Sequence, residues 1–319
     1  MSVNRDKPDL WKADVAKSVD MYNAWFLEFA PQAFRETRIK ATTSVEHSLE
    51  ITRHLRDVSP ATFRANPTIL PTLRMSTCPP LAVDRLIGLA GVSDSLVANL
   101  EKKQRLPPRM DEKDMDQDLA KIGDIIEQMA DPDIFVWLKR GDDPTEIETH
   151  RAATIVADRL CGAVANPIIR NAQEARQIEA IRTWLSAKGY KEVPPGERVE
   201  FRKMTPGTFS FRLNVQVLVG TTKPVNIPVD AVIMPKTAKA NQLPILIEAK
   251  SAGDFTNTNK RRKEEAVKMA QLQAAYDKDV QFVLFLCGYF DSGYLGYEAA
   301  EGIDWIWEHR IEDLAKLGL

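Results

Sequence analysis

The chain has 319 residues, 44% of them hydrophobic, so it is long enough to bury one large core or two ordinary ones. Its formal net charge of -2 gives no overall attraction to nucleic acid, so any nucleic-acid-binding surface must come from local basic clusters. The three cysteines lie far apart in sequence and cannot all pair, which argues against a disulfide framework. Neither a leader-like N-terminus nor a long uncharged apolar stretch is present. We therefore expect a soluble, cytoplasmic protein without membrane association.

The first half of the chain, residues 1–165, has the apolar spacing of helices. Gly is sparse in this half, and the pairs Pro79-Pro80 and Pro107-Pro108 mark breaks between helical segments. We predict a largely helical N-terminal region over residues 1–165.

Residues 81–102 within this region have the apolar spacing of a helix-turn-helix, with a central Gly91-Val92-Ser93 turn. Plain helical hairpins share this pattern. Direct contact with nucleic acid and a role in packing or dimerisation therefore both stay open.

The second half, residues 166–319, changes to short segments rich in Val, Ile and Phe. One helix is predicted over residues 172–188, where Gly189 can end it in the left-handed conformation, and another over residues 260–276. Strands are predicted at residues 209–219, 225–234, 243–250 and 281–287. This order predicts an α/β domain with a mixed sheet flanked by helices.

The third predicted strand ends in Ile247-Glu248-Ala249-Lys250. Because successive side chains of a strand alternate between faces, Glu248 and Lys250 point to the same side of the sheet. The preceding Ile-Leu-Ile run is typical of a buried strand, where a Glu and a Lys are unfavourable unless they serve a purpose. The alternative is a surface hairpin with an ordinary ion pair.

Asp230, at the end of Pro228-Val229-Asp230, can lie beside Glu248 if the two strands pair, since neighbouring strands are about 4.8 Å apart. Two converging carboxylates repel each other unless a cation joins them, and Mg²⁺ takes hard oxygen ligands. We predict that Asp230 and Glu248 bind Mg²⁺. Lys250 is then expected to orient a water molecule and to offset developing charge in phosphodiester hydrolysis.

This pattern resembles the PD-(D/E)XK nuclease motif, with Val229 placed between the proline and the aspartate. Further blocks resemble those of XamI-type type II restriction endonucleases over nearly the full length, at residues 11–38, 74–89, 170–190, 248–266 and 288–309. The resemblance implies a restriction-endonuclease-like fold, a homodimer, Mg²⁺, and cleavage of double-stranded DNA at a short, palindromic site.

The resemblance also implies that the helix preceding the sheet contributes a carboxylate. At about 100° per residue, Glu174 falls on one stripe with Ile178, Ile181 and Leu185, whereas Glu179 lies about a quarter turn away or more. Glu174 is therefore the predicted further catalytic residue. The alternative is a first-turn glutamate that interacts favourably with the helix dipole.

The segment after Lys250 is polar and basic. Asn and Arg can make bidentate contacts to bases, and Lys and Arg reach phosphates. The residues predicted to bind DNA are Asn257, Asn259, Lys260, Arg261, Arg262 and Lys263. The alternative is a solvated helix start in which Glu264 and Glu265 neutralise the positive charge.

The favoured hypothesis is a type II restriction endonuclease. Residues 166–319 form the nuclease domain, and residues 1–165 serve in dimerisation, DNA contact or both. One alternative is a repair or recombination nuclease of the same fold. Another is a helix-turn-helix DNA-binding regulator with an inactive nuclease domain, which the intact set of Asp230, Glu248 and Lys250 disfavours.

Overall fold

The computed structural model describes residues 2–219, 223–256, 258–276 and 280–319, without the side chains of 163–166, 218, 219, 223 and 259–262. The chain divides into two compact units. Met1–Phe29 and Ile169–Leu319 form one, here called the sheet unit, and Ala30–Ile168 form the other, the helical unit. The sequence pattern places a single boundary near residue 165, whereas the structure assigns the N-terminal segment to the sheet unit as well.

The predicted helical character of the N-terminal region is confirmed. Its α-helices are α1 (Pro8–Ile51), α2 (Pro60–Ala65), α3 (Leu70–Met75), α4 (Val83–Ala90), α5 (Asp94–Ala98), α6 (Glu112–Met129), α7 (Trp137–Arg140) and α8 (Glu146–Ala187). Helices α1 and α8 contribute residues to both units. The helical unit has its own core, in which Leu49, Phe63, Leu119 and Trp137 are fully buried.

Residues 81–102 form a helical hairpin. Gly91 ends α4 in the left-handed conformation, with φ +61°, and α5 begins three residues later. The second helix has only five residues and passes into a π-helical turn, Asn99–Lys103. Contact of this hairpin with DNA stays a prediction.

The sheet unit contains one six-stranded mixed sheet, in the order β1-β2-β3-β4-β5-β6. The strands are β1 (Lys191–Glu192), β2 (Thr208–Val219), β3 (Lys223–Ile233), β4 (Ile245–Ala252), β5 (Gln281–Gly288) and β6 (Asp304–Trp307). The central strands β2, β3 and β4 pair antiparallel, and the other pairs are parallel. The predicted mixed sheet is confirmed.

Helices cover both faces of the sheet. Ile181 and Leu185 of α8 pack on one face, and Met269 and Leu272 of α9 (Thr258–Tyr276) pack on the other, together with α10 (Ser292–Ala300). The sequence pattern missed β1 and β6. In β6, Trp305 and Trp307 are fully buried, which explains why this aromatic segment does not show the alternation of a half-exposed strand.

No single helix within the described ranges is both long enough and apolar enough to cross a membrane. The successive segments Glu146–Gly162 and Pro167–Ala187 meet the length and composition criteria only when they are counted together.

Candidate active site

The candidate site begins at a backbone irregularity in the centre of the sheet. Arg212 in β2 has φ +51°, a conformation that is uncommon for a residue with a side chain. Phe211 and Leu213 on either side of it pack into different core clusters, on opposite faces of the sheet. The neighbours of Asp230 in β3 switch faces in the same way. Asp230 therefore lies where the regular alternation of the sheet is interrupted.

The register of β3 and β4 brings the two predicted carboxylates together. Ala231 pairs with Ile247 in the antiparallel ladder, so Asp230 and Glu248 come next along their strands. Asp230 is fixed by its Oδ2 atom, which accepts a hydrogen bond of 2.8 Å from the backbone N–H of Ala249.

Glu248 and Lys250 share a face of β4, as the alternation predicts. The Nζ atom of Lys250 is 3.2 Å from Oε1 of Glu248. The same oxygen is 2.6 Å from Nζ of Lys268 in α9, a residue that sequence reasoning missed. Glu248 therefore forms ion pairs with a lysine of its own strand and with a lysine of α9.

These side chains line one polar cavity of about 270 Å³. The cavity brings together all four predicted catalytic residues, which are Asp230, Glu248, Lys250 and Glu174. Its other lining residues are Arg170, Gln173, Gln177, Ala249, Ser251 and Glu264. The convergence is a structural finding, and the catalytic role of each residue stays a prediction.

The electrostatics of the cavity favour a cation between the carboxylates. Burial and the nearby Glu248 raise the pKa of Asp230 to about 6. Glu248 is only 6% exposed, and its Oε2 atom is buried without a hydrogen-bond partner among the described residues. A divalent cation held by both carboxylates would relieve the repulsion and use the unpartnered oxygen, so these residues fit the predicted metal.

With two carboxylate ligands from the protein, the predicted metal site would be an open one. Within the part of the chain that the structure describes, no three acidic, histidine or cysteine side chains are grouped closely enough to enclose a metal ion. Mg²⁺ is commonly held by one or two carboxylates and completes its coordination with water and phosphate oxygens. Such a site leaves coordination positions for a substrate.

The ammonium of Lys250 is stabilised in its charged form. Burial acts to lower the pKa of Lys250, but the carboxylates of Glu248 and Glu265 outweigh it and raise the pKa above its usual value. Lys250 is therefore positively charged at neutral pH, as a role in offsetting negative charge requires.

Helix α8 contributes two buried amides that sequence reasoning missed. The side-chain amide of Gln177 donates to the backbone carbonyls of Phe285, at 3.1 Å, and Lys250, at 3.3 Å. Gln173 donates to the hydroxyl of Tyr22 at 2.6 Å. Both glutamines lie on the helix face that carries Glu174, and this spacing was the available signal.

Glu174 lies in the cavity and Glu179 does not, as the helical phase predicts. Glu174 forms an ion pair of 2.7 Å with Arg212, the residue with positive φ. Glu179 instead pairs with Arg182 at the exposed side of the helix. Helix α8 thus directs one of the two candidate carboxylates to the site.

The basic segment after β4 is described only in part. Asn257 lies outside the described residues, as do the side chains of Asn259, Lys260, Arg261 and Arg262. Lys263 is exposed. DNA binding by these residues stays a prediction.

The idea that Glu264 and Glu265 merely neutralise this segment at a solvated helix start is wrong for Glu265. Its side chain is fully buried, and it is 3.2 Å from the Nζ atom of Lys250. Glu264 lines the cavity. The buried spacing of Glu265, Met269 and Leu272 along α9 is the signal that could have identified Glu265 as an interior residue.

Comparison with known proteins identifies the class to which this sheet and cavity belong. Residues 53–307 match the family model described as XamI restriction endonuclease, and the chain belongs to this family. It is also 52% identical over 316 residues to the type II restriction enzyme SalI of Streptomyces albus G, with 99% of each chain covered. No solved structure matches the chain. The resemblance inferred from the sequence blocks is thereby confirmed.

Proposed function

We propose that this protein is a type II restriction endonuclease that hydrolyses phosphodiester bonds of double-stranded DNA at a short, palindromic site, with Mg²⁺ as cofactor. The convergence of Asp230, Glu248 and Lys250 in one polar cavity carries the proposal. Membership of a restriction endonuclease family and the similarity to SalI support site-specific DNA cleavage rather than repair or regulation.

Asp230 and Glu248 are the proposed ligands of Mg²⁺. When bound, the metal would polarise the scissile phosphate and lower the pKa of a coordinated water. The backbone N–H of Ala249 fixes the orientation of the Asp230 carboxylate. The antiparallel pairing of β3 and β4 ends at Ala231 and Ile247 and so brings the two carboxylates to the same end of the ladder, which pre-organises them for binding one metal ion.

Lys250 is proposed to stabilise the transition state electrostatically. Its ammonium can donate hydrogen bonds to a nucleophilic water and to a phosphate oxygen, which orients the water and offsets the charge that develops on the phosphate. Gln177 holds the backbone carbonyl of Lys250, so the strand end that carries the ammonium is anchored to α8. Glu174 is proposed to complete the acidic side of the cavity.

The polar and basic segment after β4 is proposed to contact DNA. The chain leaves the candidate active site directly into this segment, so contacts from it would lie close to the cleaved bond. Asn257, Asn259, Arg261 and Arg262 can pair with base edges, whereas Lys260 and Lys263 can reach phosphates.

The protein is proposed to act as a homodimer. One active site hydrolyses one strand, so a double-strand cut at a palindromic sequence calls for two sites related by the two-fold axis of the DNA. Light scattering with and without a cognate duplex, with Ca²⁺ replacing Mg²⁺ to block cleavage, tests this assembly. One protein molecule per duplex would contradict the dimer and favour a nicking or repair nuclease.

Digestion of a plasmid of known sequence tests the activity. With Mg²⁺, discrete fragments that map to one repeated sequence support a restriction endonuclease, and EDTA should abolish them. A smear or structure-dependent nicking would favour a repair nuclease. Binding without any cutting would favour the regulator.

A further inference from the structure

The ammonium group of Lys250 lies between two glutamates that belong to different elements. Its Nζ atom is 3.2 Å from Oε1 of Glu248 in β4 and 3.2 Å from Oε1 of Glu265 in α9. The Glu248 oxygen is shared with Lys268. Among the described residues, Lys250 is the cationic partner of Glu265.

Glu265 is fully buried, although a carboxylate is expensive to remove from water. It lies one turn before Met269 and two turns before Leu272, both of which pack in the apolar core between α9 and the sheet. An apolar side chain of similar size would pack there at a lower free-energy cost. Burial raises the pKa of Glu265, and Lys250 acts in the opposite direction. Packing alone therefore does not explain a glutamate at this position.

Tyr294 holds the other oxygen of the same carboxylate. Its hydroxyl is 3.3 Å from Oε2 of Glu265, and its side chain is 1% exposed. The ring packs against Phe290, and the backbone N–H is capped by Asp291 at the start of α10. Burial, Glu265 and the fully buried Glu298, one turn later in α10, all raise the pKa of Tyr294, so its hydroxyl keeps its proton. A continuous chain of buried polar contacts thus runs from α10 through Glu265 to Lys250.

We propose that Glu265, oriented by Tyr294, is a positioning residue that fixes the ammonium of Lys250 at the wall of the cavity. This inference rests on the proposed function, because it concerns the place of Lys250 in DNA cleavage. Glu248 is a poor sole anchor, because its Oε1 atom also contacts Lys268 and its carboxylate is a proposed metal ligand. Glu265 is inaccessible to DNA, so it acts through Lys250.

The first test removes the charge of Glu265 while keeping the size of its side chain. We expect Glu265→Gln to lower the single-turnover cleavage rate by about tenfold to hundredfold, the effect of one charge-assisted hydrogen bond. The affinity for the cognate duplex in Ca²⁺ should stay within about twofold of the wild-type value, and Glu265→Asp should recover part of the rate.

Asp313→Asn is the matched control for loss of a buried, ion-paired carboxylate. Asp313 is 5% exposed and pairs with Arg310 at 2.7 Å, and it belongs to the same unit but does not line the cavity. Its replacement should leave the cleavage rate unchanged. An equal loss of rate in Asp313→Asn and Glu265→Gln would overturn the proposal, because the effect would then be general destabilisation.

A double-mutant comparison separates positioning from a purely structural role. If Glu265 acts through Lys250, Glu265→Gln should cause no further loss of rate in a Lys250→Met background, measured by long incubations. Tyr294→Phe should cause a smaller loss that also vanishes in this background. Losses that multiply in the double variants would overturn the proposal.

Folding is checked by circular dichroism and thermal unfolding. If Glu265→Gln does not fold, Tyr294→Phe, which removes only a hydroxyl, carries the same test. A wild-type protein that cuts no DNA would overturn the proposed function. A wild-type protein that cuts, is inactivated by Lys250→Met and is unaffected by Glu265→Gln would overturn this inference alone.

Discussion

The pair formed by Arg74 and Glu101 in the helical unit and the cluster around Glu248 in the sheet unit bury charged groups in different ways. In the helical unit, Arg74 and Glu101 form a bidentate pair, with Nε–Oε1 at 2.8 Å and Nη2–Oε2 at 3.1 Å. The third nitrogen of the guanidinium, Nη1, donates to the backbone carbonyl of Leu81. Among the described residues, each of these two charges has one partner of opposite charge, so the pair is neutral. In the sheet unit, Glu248 meets two ammonium groups, and one of its oxygens has no hydrogen-bond partner among the described residues.

The first arrangement is that of a pair that supports the fold, and the second is the arrangement expected of a cluster that takes part in a reaction. A closed pair has no capacity left for a ligand. The cluster around Glu248 keeps an unpartnered oxygen, an aspartate whose pKa is raised to about 6, and an open cavity beside them. Strongly perturbed carboxylates in a cavity are typical of functional sites. Substitutions in each unit test whether the two arrangements have different roles.

The largest effect is expected from Asp230→Ala and Glu248→Ala. Each variant should lower the cleavage rate by roughly 10³-fold or more, because loss of a metal ligand removes stabilisation of the transition state. Specific binding of the duplex in a gel-shift assay should largely persist. Cleavage at the wild-type rate by either variant would show that the active site has been assigned to the wrong residues.

The next effect concerns stability in the helical unit. Arg74→Met leaves the largely buried Glu101 without its partner and should lower the free energy of unfolding by about 3 kcal/mol, at the lower end of the range for a fully buried pair, measured by urea denaturation. The double variant Arg74→Met/Glu101→Leu should recover much of this loss, because an apolar pair can replace a closed ion pair. Cleavage by the folded fraction should not change in either variant. A rate defect in the folded double variant would mean that this pair also serves catalysis.

A smaller effect is expected on stability as a function of pH. The pKa of Asp230, about 6 in the fold, exceeds the value of 3.8 for an unperturbed aspartate. The folded state therefore favours the protonated form, and stability decreases as the pH rises from about 4 to about 6. In EDTA at pH 8, Asp230→Asn should be more stable than the wild type by about 1–2 kcal/mol, with allowance for partial exposure.

The advantage of Asp230→Asn should largely disappear by about pH 3, which is below both pKa values, so that Asp230 is protonated in the folded and the unfolded state. Adding Ca²⁺ at pH 8 should raise the unfolding temperature of the wild type and not that of the variant, because the cation binds the two carboxylates of the folded state. Equal stability of the two proteins at every pH would show that the ionised Asp230 does not destabilise the metal-free fold.

The contribution of α8 is expected to be weaker. Glu174→Ala should reduce the cleavage rate by about tenfold, and Glu179→Ala should leave it nearly unchanged, because only Glu174 lines the cavity. Single-turnover rates of both variants at saturating enzyme make the comparison. The opposite order would remove Glu174 from the site.

The sequence predicted the fold where periodicity was strong. The four interior strands β2 to β5 were located within about two residues, because β-branched runs and turn residues mark them. The two-residue strand β1 is too short to carry a pattern, and β6 is an aromatic segment buried on every side. The assignment of residues 1–29 to the sheet unit depends on long-range contacts, which local patterns do not encode.

The candidate site was predictable where strand alternation, the pairing of neighbouring strands or helical phase brings its residues together, and helical phase placed Glu174 in the cavity. Glu248 and Lys250 follow from alternation, and Asp230 follows from pairing of neighbouring strands. The positive φ of Arg212 and the contact of Glu265 with Lys250 did not follow, because each depends on packing between elements distant in sequence. Helical phase alone could place Glu265 in the interior, but it could not name its partner.

The smallest expected effect compares one exposed lysine from each unit. Lys263 follows the active-site strand, and Lys40 lies in the part of α1 that belongs to the helical unit. If Lys263 contacts a phosphate, Lys263→Ala should reduce the slope of log affinity against log salt concentration by about 0.9, because one fewer counterion is released on binding. Affinity should fall equally for cognate and unrelated duplexes, since a phosphate contact carries no sequence information.

Lys40→Ala is the control, and it should leave the slope unchanged if this part of the helical unit lies away from the DNA. Fluorescence anisotropy in Ca²⁺ over a range of salt concentrations measures both variants. The reverse result, a lower slope for Lys40→Ala alone, would move the main DNA contact to the helical unit and reduce the sheet unit to catalysis.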